Sequence, residues 1–219
     1  MSKKAWLYTI FFLVLIGAFY IALTKMIPGY GKVQLPVLSQ VQPFSFTSQE
    51  GKTITNRDIE GKVYVAEFFF TTCKGICPKM NTNLKTVYSD LKNEPDFLIL
   101  SHSVNPGTDN VERLKRYSDS LGMDPAKWIL LTGNKDSLYQ AARLSYLLDD
   151  PKNVNLPTEE QFIHTQFFAL VDKNGHVRKI VDGLKKEELA EMENDIHALL
   201  KEKAMQGRFA NSLFSNNPN

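Results

Sequence analysis

The stretch TTCKGICPKM, residues 71–80, holds both cysteines of the chain, Cys73 and Cys77, with a proline directly after the second. Two thiols at that spacing can form a structural disulfide, a redox couple or part of a metal claw. A disulfide needs Cα atoms about 4.4–6.8 Å apart, which a turn from i to i+4 supplies. A static local staple is the weakest of the three readings, because closing so short a loop removes little entropy from the unfolded chain. Pro78 fits the first turn of a helix, where a missing N–H does no harm. The positive end of that helix, with Lys74 and Lys79 beside it, favours thiolate over thiol, and thiolates are both nucleophiles and metal ligands.

The elements that must position this stretch follow from periodicity. VYVAEFFF (63–70), FLILSHSV (97–104) and WILLTG (128–133) are near-continuous apolar runs, as strands covered on both faces require. FSFTSQEGKTIT (44–55) alternates around Glu50-Gly51 and predicts a hairpin. Met80, Leu84, Val87 and Leu91 mark one face of a helix after Pro78. Val111, Leu114, Ser118 and Leu121 mark a second, with Asp109 and Glu112 spaced as a capping box. Residues 136–148 predict a third, with Asp136 as its cap. QFFALVD and HVRKIVD flank the turn Lys173-Asn174-Gly175, and Leu189, Met192, Ile196, Leu199 and Leu200 mark a last amphipathic helix. The order is hairpin, β-α-β-α-β-α-β-β-α. It implies an α/β three-layer sandwich with a mixed sheet, the order of a thioredoxin-like fold.

An appendage precedes this domain. Residues 5–23 carry no charge, and about 20 such residues cross a bilayer as a helix. Trp6, Tyr8 and Tyr20 sit near its ends, where aromatics favour the interface. The following TKMIPGYGK lacks a small-x-small cleavage site. We therefore expect an uncleaved N-terminal transmembrane helix within 1–27, a Pro/Gly linker over 28–43, the domain over 44–204 and a loose polar tail over 205–219. Lys3 and Lys4 nearly balance Lys25 and Lys32. The N-terminal amine tips the orientation towards a cytoplasmic N-terminus and a domain outside the cytoplasm. That places it on the periplasmic side of a bacterial inner membrane, with the mitochondrial inner membrane as second reading. A thiol pair there can oxidise. A net charge of +2 with interleaved signs gives no case for nucleic acid.

Topology nominates a third group. The polar loop 149–163 is long enough to carry the chain back across the domain, so that the next strand runs antiparallel and starts where the parallel strands finish. His164, in QFIHTQFFALVD, stands at that start and should face Cys73 and Cys77. On the residues alone, a hydrogen-bonded structural histidine is an equal reading. Two thiolates plus one imidazole suit copper, thiolate selecting Cu(I) and imidazole tolerating Cu(II). A closed zinc site wants a fourth protein ligand, and none is evident. Met80 reads as core, His102 as a satisfied core group, and His176 and His197 as surface residues. Glu67, inside the first long strand, must be paired or near water; edge exposure is an equal reading.

FFFTTCKGICPKM, SHSVNPGTDNVERLKRY and IHTQFFALVDKNG together resemble the SCO/SenC family, over residues 40–200. Its members are membrane-anchored, thioredoxin-like copper proteins that serve cytochrome c oxidase assembly. The resemblance implies one copper ion, Cu(I) or Cu(II), held by Cys73, Cys77 and His164. It also implies a partner, the copper-receiving subunit of a cytochrome c oxidase, whose dinuclear copper centre is the acceptor. The role would be that of a metallochaperone, with thiol-disulfide oxidoreductase activity as an accompaniment. The chain departs from the family pattern at Asn105-Pro106, where an aspartate usually precedes the proline, and at Lys74-Gly75, where many members have Pro-Asp. Those changes bear on partner docking and redox tuning. Two other functions stay open. A thiol-disulfide oxidoreductase would use Cys73 and Cys77 as its catalytic redox pair, reduce the oxidase's copper-site cysteines and tolerate loss of His164. A peroxidase or redox sensor would want a threonine and an arginine beside the cysteine; Thr71 and Thr72 are present, but no arginine is near in sequence.

Overall fold

The structure, a computed structural model, describes residues 3–26, 35–149 and 165–204. It divides into two units, Met1–Pro36 and Val37–Asn219. In the first, α1 (Lys3–Met26) contains a stretch, Lys4–Leu23, long and apolar enough to cross a membrane. None of that stretch is buried in protein, which separates it from an apolar core helix.

The second unit is built on an eight-stranded sheet. Its strands are β1 (Ser39–Gln40), β2 (Ser45–Ser48), β3 (Thr53–Thr55), β4 (Val63–Phe69), β5 (Phe97–Ser103), β6 (Trp128–Thr132), β7 (Phe167–Val171) and β8 (His176–Asp182). They lie in the order β1-β8-β7-β4-β5-β6-β2-β3. The central strands β4, β5 and β6 are parallel, and β7 runs antiparallel to β4. The helices are α2 (Cys77–Leu91), α3 (Val111–Leu121), α4 (Lys135–Gln140) and α5 (Lys186–Leu200). This is the mixed α/β thioredoxin-like arrangement that the alternation of patterns implied.

β4 and β5 are buried along their whole length because helices cover both faces. On one face Tyr64, Ala66 and Phe68 pack with Leu138, Tyr139 and Ala142 of α4 and the turn that follows it. Successive strand residues point to opposite faces, so Glu67 and Phe69 belong to the other. There the Phe69 ring stacks on Tyr117 of α3 at 5.6 Å. Met80, Leu84, Val87 and Leu91 form the buried stripe of α2.

Local chemistry departs from expectation at several places. Asn110, not Asp109, caps α3 by accepting from the Arg113 amide. Asn134, not Asp136, caps α4 by accepting from the Ser137 amide. In both cases an asparagine stands at the first non-helical residue, and its short amide reaches the third amide beyond it. The third helix is α4 continued by a π-helical turn, Ala141–Ser145. The stretch 39–43, expected in the linker, carries β1, which pairs with β8, and the buried Val41. Two polar residues are too short a run to read as a strand. The polar loop from residue 150, His164 and the tail from 205 lie outside the described residues.

Candidate functional site

β4 ends at Phe69 and the chain turns through Thr71 and Thr72 into Cys73, whose amide donates to Phe70 O at 3.1 Å. α2 begins at Cys77, with Pro78 in its first turn. Its cap position, Ile76, offers no side-chain acceptor, so the first amides need another partner. The Cys73 sulfur is close enough for the Cys77 thiol and the amides of Cys77, Gly75 and Ile76 to favour its charged form. Both cysteines are free thiols; Cys73 is half-buried and Cys77 buried.

This arrangement splits the pair. Partial burial pushes the Cys73 thiol up, but the Cys77 thiol and the loop amides together outweigh it, and the net shift is downward. Cys77 moves the other way, to about 12, through burial first and then through its hydrogen bond and repulsion from Cys73, with a smaller push from Glu67. The expectation that the helix end favours thiolate therefore holds for Cys73 and not for Cys77. Cys77 is the proton donor of the pair, so only one sulfur gains the donors that stabilise a negative charge.

Two buried carboxylates stand near the site: Asp109, expected as a helix cap, and Glu67, for which burial with a partner rather than edge exposure holds. Asp109 is fully buried. It accepts from the Thr71 amide at 3.1 Å, from the Thr71 hydroxyl, and from the Ser103 hydroxyl at 2.6 Å. It thus ties the cysteine loop to the end of β5. Arg113 Nε donates to Thr71 Oγ1 at 2.7 Å and faces Asp109 at 3.8 Å. An arginine remote in sequence therefore does reach the loop, but its charge faces the Asp109 carboxylate. The Asn105 carbonyl heads the turn by accepting from the amides of Thr108 and Asp109.

Glu67 is 1% exposed, on a central strand rather than an edge. Ser101 Oγ donates to its Oε1, and Trp128 Nε1 donates to Ser101 Oγ at 2.8 Å. Oε2 has no partner among the described residues. Burial lifts the Glu67 carboxyl to about 7, against the lowering effect of the Ser101 hydrogen bond.

Met80 is core, as expected. His102 sits on the opposite face of the sheet among Phe44, Phe46, Phe68 and Tyr146, and burial drives it down to about 4. His176 is half-buried against Asp172 at 3.3 Å, and His197 is exposed. Among the described residues no three His, Cys, Asp or Glu side chains form a group able to hold a metal. The structure thus brings Cys73 and Cys77 together. His164 lies outside the described residues, but the strand it was expected to precede is described: β7 pairs Ala169 with Ala66 and so begins beside the end of β4 that leads to Cys73.

The model of the SCO1/SenC family matches residues 35–201. The SCO1 protein homolog of Bacillus subtilis is 32% identical over 160 residues, covering 71% of this chain and 80% of that protein. The solved structure of BsSco superposes with a TM-score of 0.66 at 28% identity, covering 78% of this chain and 99% of that one. BsSco is described as a member of the Sco family of cytochrome c oxidase assembly proteins, with a disulfide switch. Arabidopsis thaliana ScoI with copper bound has a TM-score of 0.59 at 23% identity, over 73% of this chain and 99% of that one, a likeness of fold.

Two outcomes follow from these shifts. Alkylation of Cys73 by iodoacetamide, followed against pH, should show a midpoint below that of a free cysteine. Cys77→Ala removes the side-chain donor and should raise it; Cys77→Ser keeps a donor and should largely restore it. An unchanged midpoint in Cys77→Ala would remove the hydrogen bond as its cause. For Glu67, the folded value of about 7 lies above the ordinary 4.5. Its contribution to stability is therefore intact below about pH 4.5 and is lost as pH rises through about 7, at roughly 3 kcal/mol. Thermal melts of the reduced, metal-free protein should show Glu67→Gln more stable than the parent at pH 8 and not at pH 4. Equal shifts at both pH values would contradict the buried-carboxylate account.

Proposed function

From the premise that the chain belongs to the SCO1/SenC family, we propose that it is a membrane-anchored metallochaperone. It binds one copper ion and hands it to the copper-receiving subunit of a cytochrome c oxidase. The observation that carries this reading is the free thiol pair, two neighbouring sulfurs that shift each other's pKa, with one of them half-buried and within reach of solvent. Soft sulfur donors in that arrangement fit Cu(I), which is cargo here and not a resident cofactor. Each thiol gives up a proton when it ligates, so binding strengthens as pH rises. Cys73 is the ligand an incoming thiol meets first, and copper then passes by stepwise ligand exchange with no change of valence.

His164 is the third ligand in this proposal. Its support is the antiparallel run of β7 from the cysteine end of β4. The copper-bound Arabidopsis protein and the place of BsSco among cytochrome c oxidase assembly proteins support the cargo and the recipient. α1 serves as the anchor, with the domain outside the cytoplasm, where the pair can cycle between dithiol and disulfide.

A thiol-disulfide oxidoreductase acting on the oxidase's copper-site cysteines is the second reading. What favours it is the asymmetry of the pair, a partly exposed sulfur with lowered pKa in front of a buried one with raised pKa. The two roles are coupled, because oxidation to a disulfide removes two ligands and releases the metal. The disulfide switch described for BsSco supports that coupling.

The test is a titration of the full chain in detergent, reduced and anaerobic, with Cu(I) against a competing chelator. One tight equivalent is expected, weakened at least roughly tenfold in His164→Ala and lost in Cys77→Ser. Tight binding indifferent to His164→Ala would make that histidine structural. Absence of tight binding would leave the oxidoreductase as the function.

A further inference from the structure

A cleft of about 390 Å³ opens beside Cys73 between α2 and α3. Trp128 and Met123, both buried, form its floor, while the half-buried Tyr88 and Tyr117 stand at its sides. The rings are held in place before any guest arrives. Tyr88 leans on Trp128 at 5.6 Å, Tyr117 stacks on Phe69, and Trp128 is fixed through its N–H to Ser101. A preformed, largely apolar pocket with a few polar groups is the usual form of a binding site.

Two further observations point to a guest and to its chemistry. Asn81 lines the cleft and is 6% exposed; its Nδ2 donates to Tyr117 Oη at 2.7 Å, while its Oδ1 has no donor among the described residues. A buried acceptor without a donor is costly, so a guest that brings an N–H is favoured over pure hydrocarbon. The charges around the opening are unbalanced. Lys85 is the charged residue of the lining, and its Nζ donates to the Leu121 carbonyl at 2.8 Å, with no carboxylate partner among the described residues. Lys74 on the cysteine loop and Lys79 in the first turn of α2 are exposed, and no carboxylate pairs with them among the described residues. The acids of the neighbouring helix are already paired, Glu112 with Arg116 and Asp119 with Lys115.

We propose that this cleft receives the cysteine-bearing loop of the protein with which Cys73 exchanges. An apolar or aromatic side chain adjacent to the partner's cysteine fills the space over Trp128, a donor of that loop serves the Asn81 amide, and carboxylates of the same loop face Lys74, Lys79 and Lys85. The assignment rests on the reading of Cys73 as the sulfur that contacts the partner. It adds a means of choosing among thiols, since the sulfur itself distinguishes little between one cysteine and another. The fit of a side chain into a desolvated aromatic pocket supplies that selection, and the lysines orient the approach.

The test uses the full chain in detergent carrying Cys77→Ser, so that Cys73 reacts once and keeps a hydroxyl neighbour. The probes are synthetic heptapeptides whose single cysteine carries thionitrobenzoate. The Cys73 thiolate attacks the peptide sulfur, a new disulfide forms, and thionitrobenzoate leaves as the coloured anion. One peptide has phenylalanine beside its cysteine and flanking glutamates; a second has serine for the phenylalanine; a third has lysines for the glutamates. Each rate is divided by that of the same protein with the small hydroxyethyl thionitrobenzoate disulfide, which reports the reactivity of Cys73 alone. The phenylalanine peptide should lead the serine peptide roughly tenfold, and Thr82→Trp or Leu121→Gln in the cleft should abolish that lead. The glutamate peptide should outpace the lysine peptide at low salt and lose that advantage at high salt. Equal ratios for the phenylalanine and serine peptides, or a lead that survives both substitutions, would overturn the cleft while leaving the reactivity of Cys73 intact. Failure of Cys73 to react even with the small disulfide would instead overturn the reading beneath it, and the cleft assignment with it.

Discussion

The cap position of α2 offers no side-chain acceptor, and the Cys77 amide, with the loop amides of Gly75 and Ile76, acts on the Cys73 sulfur instead. Much of the site can be understood from this one constraint. A helix terminus carries partial positive charge in its unpaired N–H groups. A sulfur lodged against them becomes a better anion, nucleophile and ligand. The sulfur must then be held there. Asp109 does so at a distance, by fixing Thr71 at the start of the loop to Ser103 at the end of β5. A loop that carries reactive groups is positioned by the rigid sheet edges on which it stands.

The same constraint makes the two cysteines unequal. Cys77 lies inside the first turn of α2 and is buried, so it donates to Cys73 and holds its own proton tightly. Beneath it the chain Glu67–Ser101–Trp128 runs from the sheet towards the floor of the cleft beside Cys73. A carboxyl in that position costs stability whenever it is ionised. One of its oxygens has no partner among the described residues, and burial raises its pKa.

The order of elements was readable because the strands are buried on both faces and the helices on one. Those two patterns differ in period. The thiol pair and the helix beginning at Pro78 were likewise plain in sequence, and so was the antiparallel direction of β7, through its hairpin with β8. What sequence could not supply was pairing across the fold. Asp109 looked like a cap because it stands three residues before Glu112, and only β5 beside β4 reveals Thr71 and Ser103 as its partners. Glu67 sits in an apolar run where the neighbouring strand, not the spacing, decides between edge and centre. Tyr117 and Asn81 belong to different helices and carry no motif; their meeting depends on the packing of α2 against α3. The opposite pKa directions of the two sulfurs depend on which one points outwards, a matter of one turn of backbone.

The central claim is that copper leaves this thiol pair for an oxidase subunit. The direct measurement mixes the copper-loaded full chain, anaerobically and in equal amount, with the reduced, copper-free copper-receiving subunit of the oxidase. Absorbance of the subunit's copper centre is followed while a chelator reports free metal. The account predicts that copper appears in the subunit without passing through the chelator, and that Cys73→Ser stops the transfer. Copper that stays on the chain, while the metal-free reduced chain reduces a disulfide of the oxidised subunit, would contradict delivery and establish thiol exchange as the task.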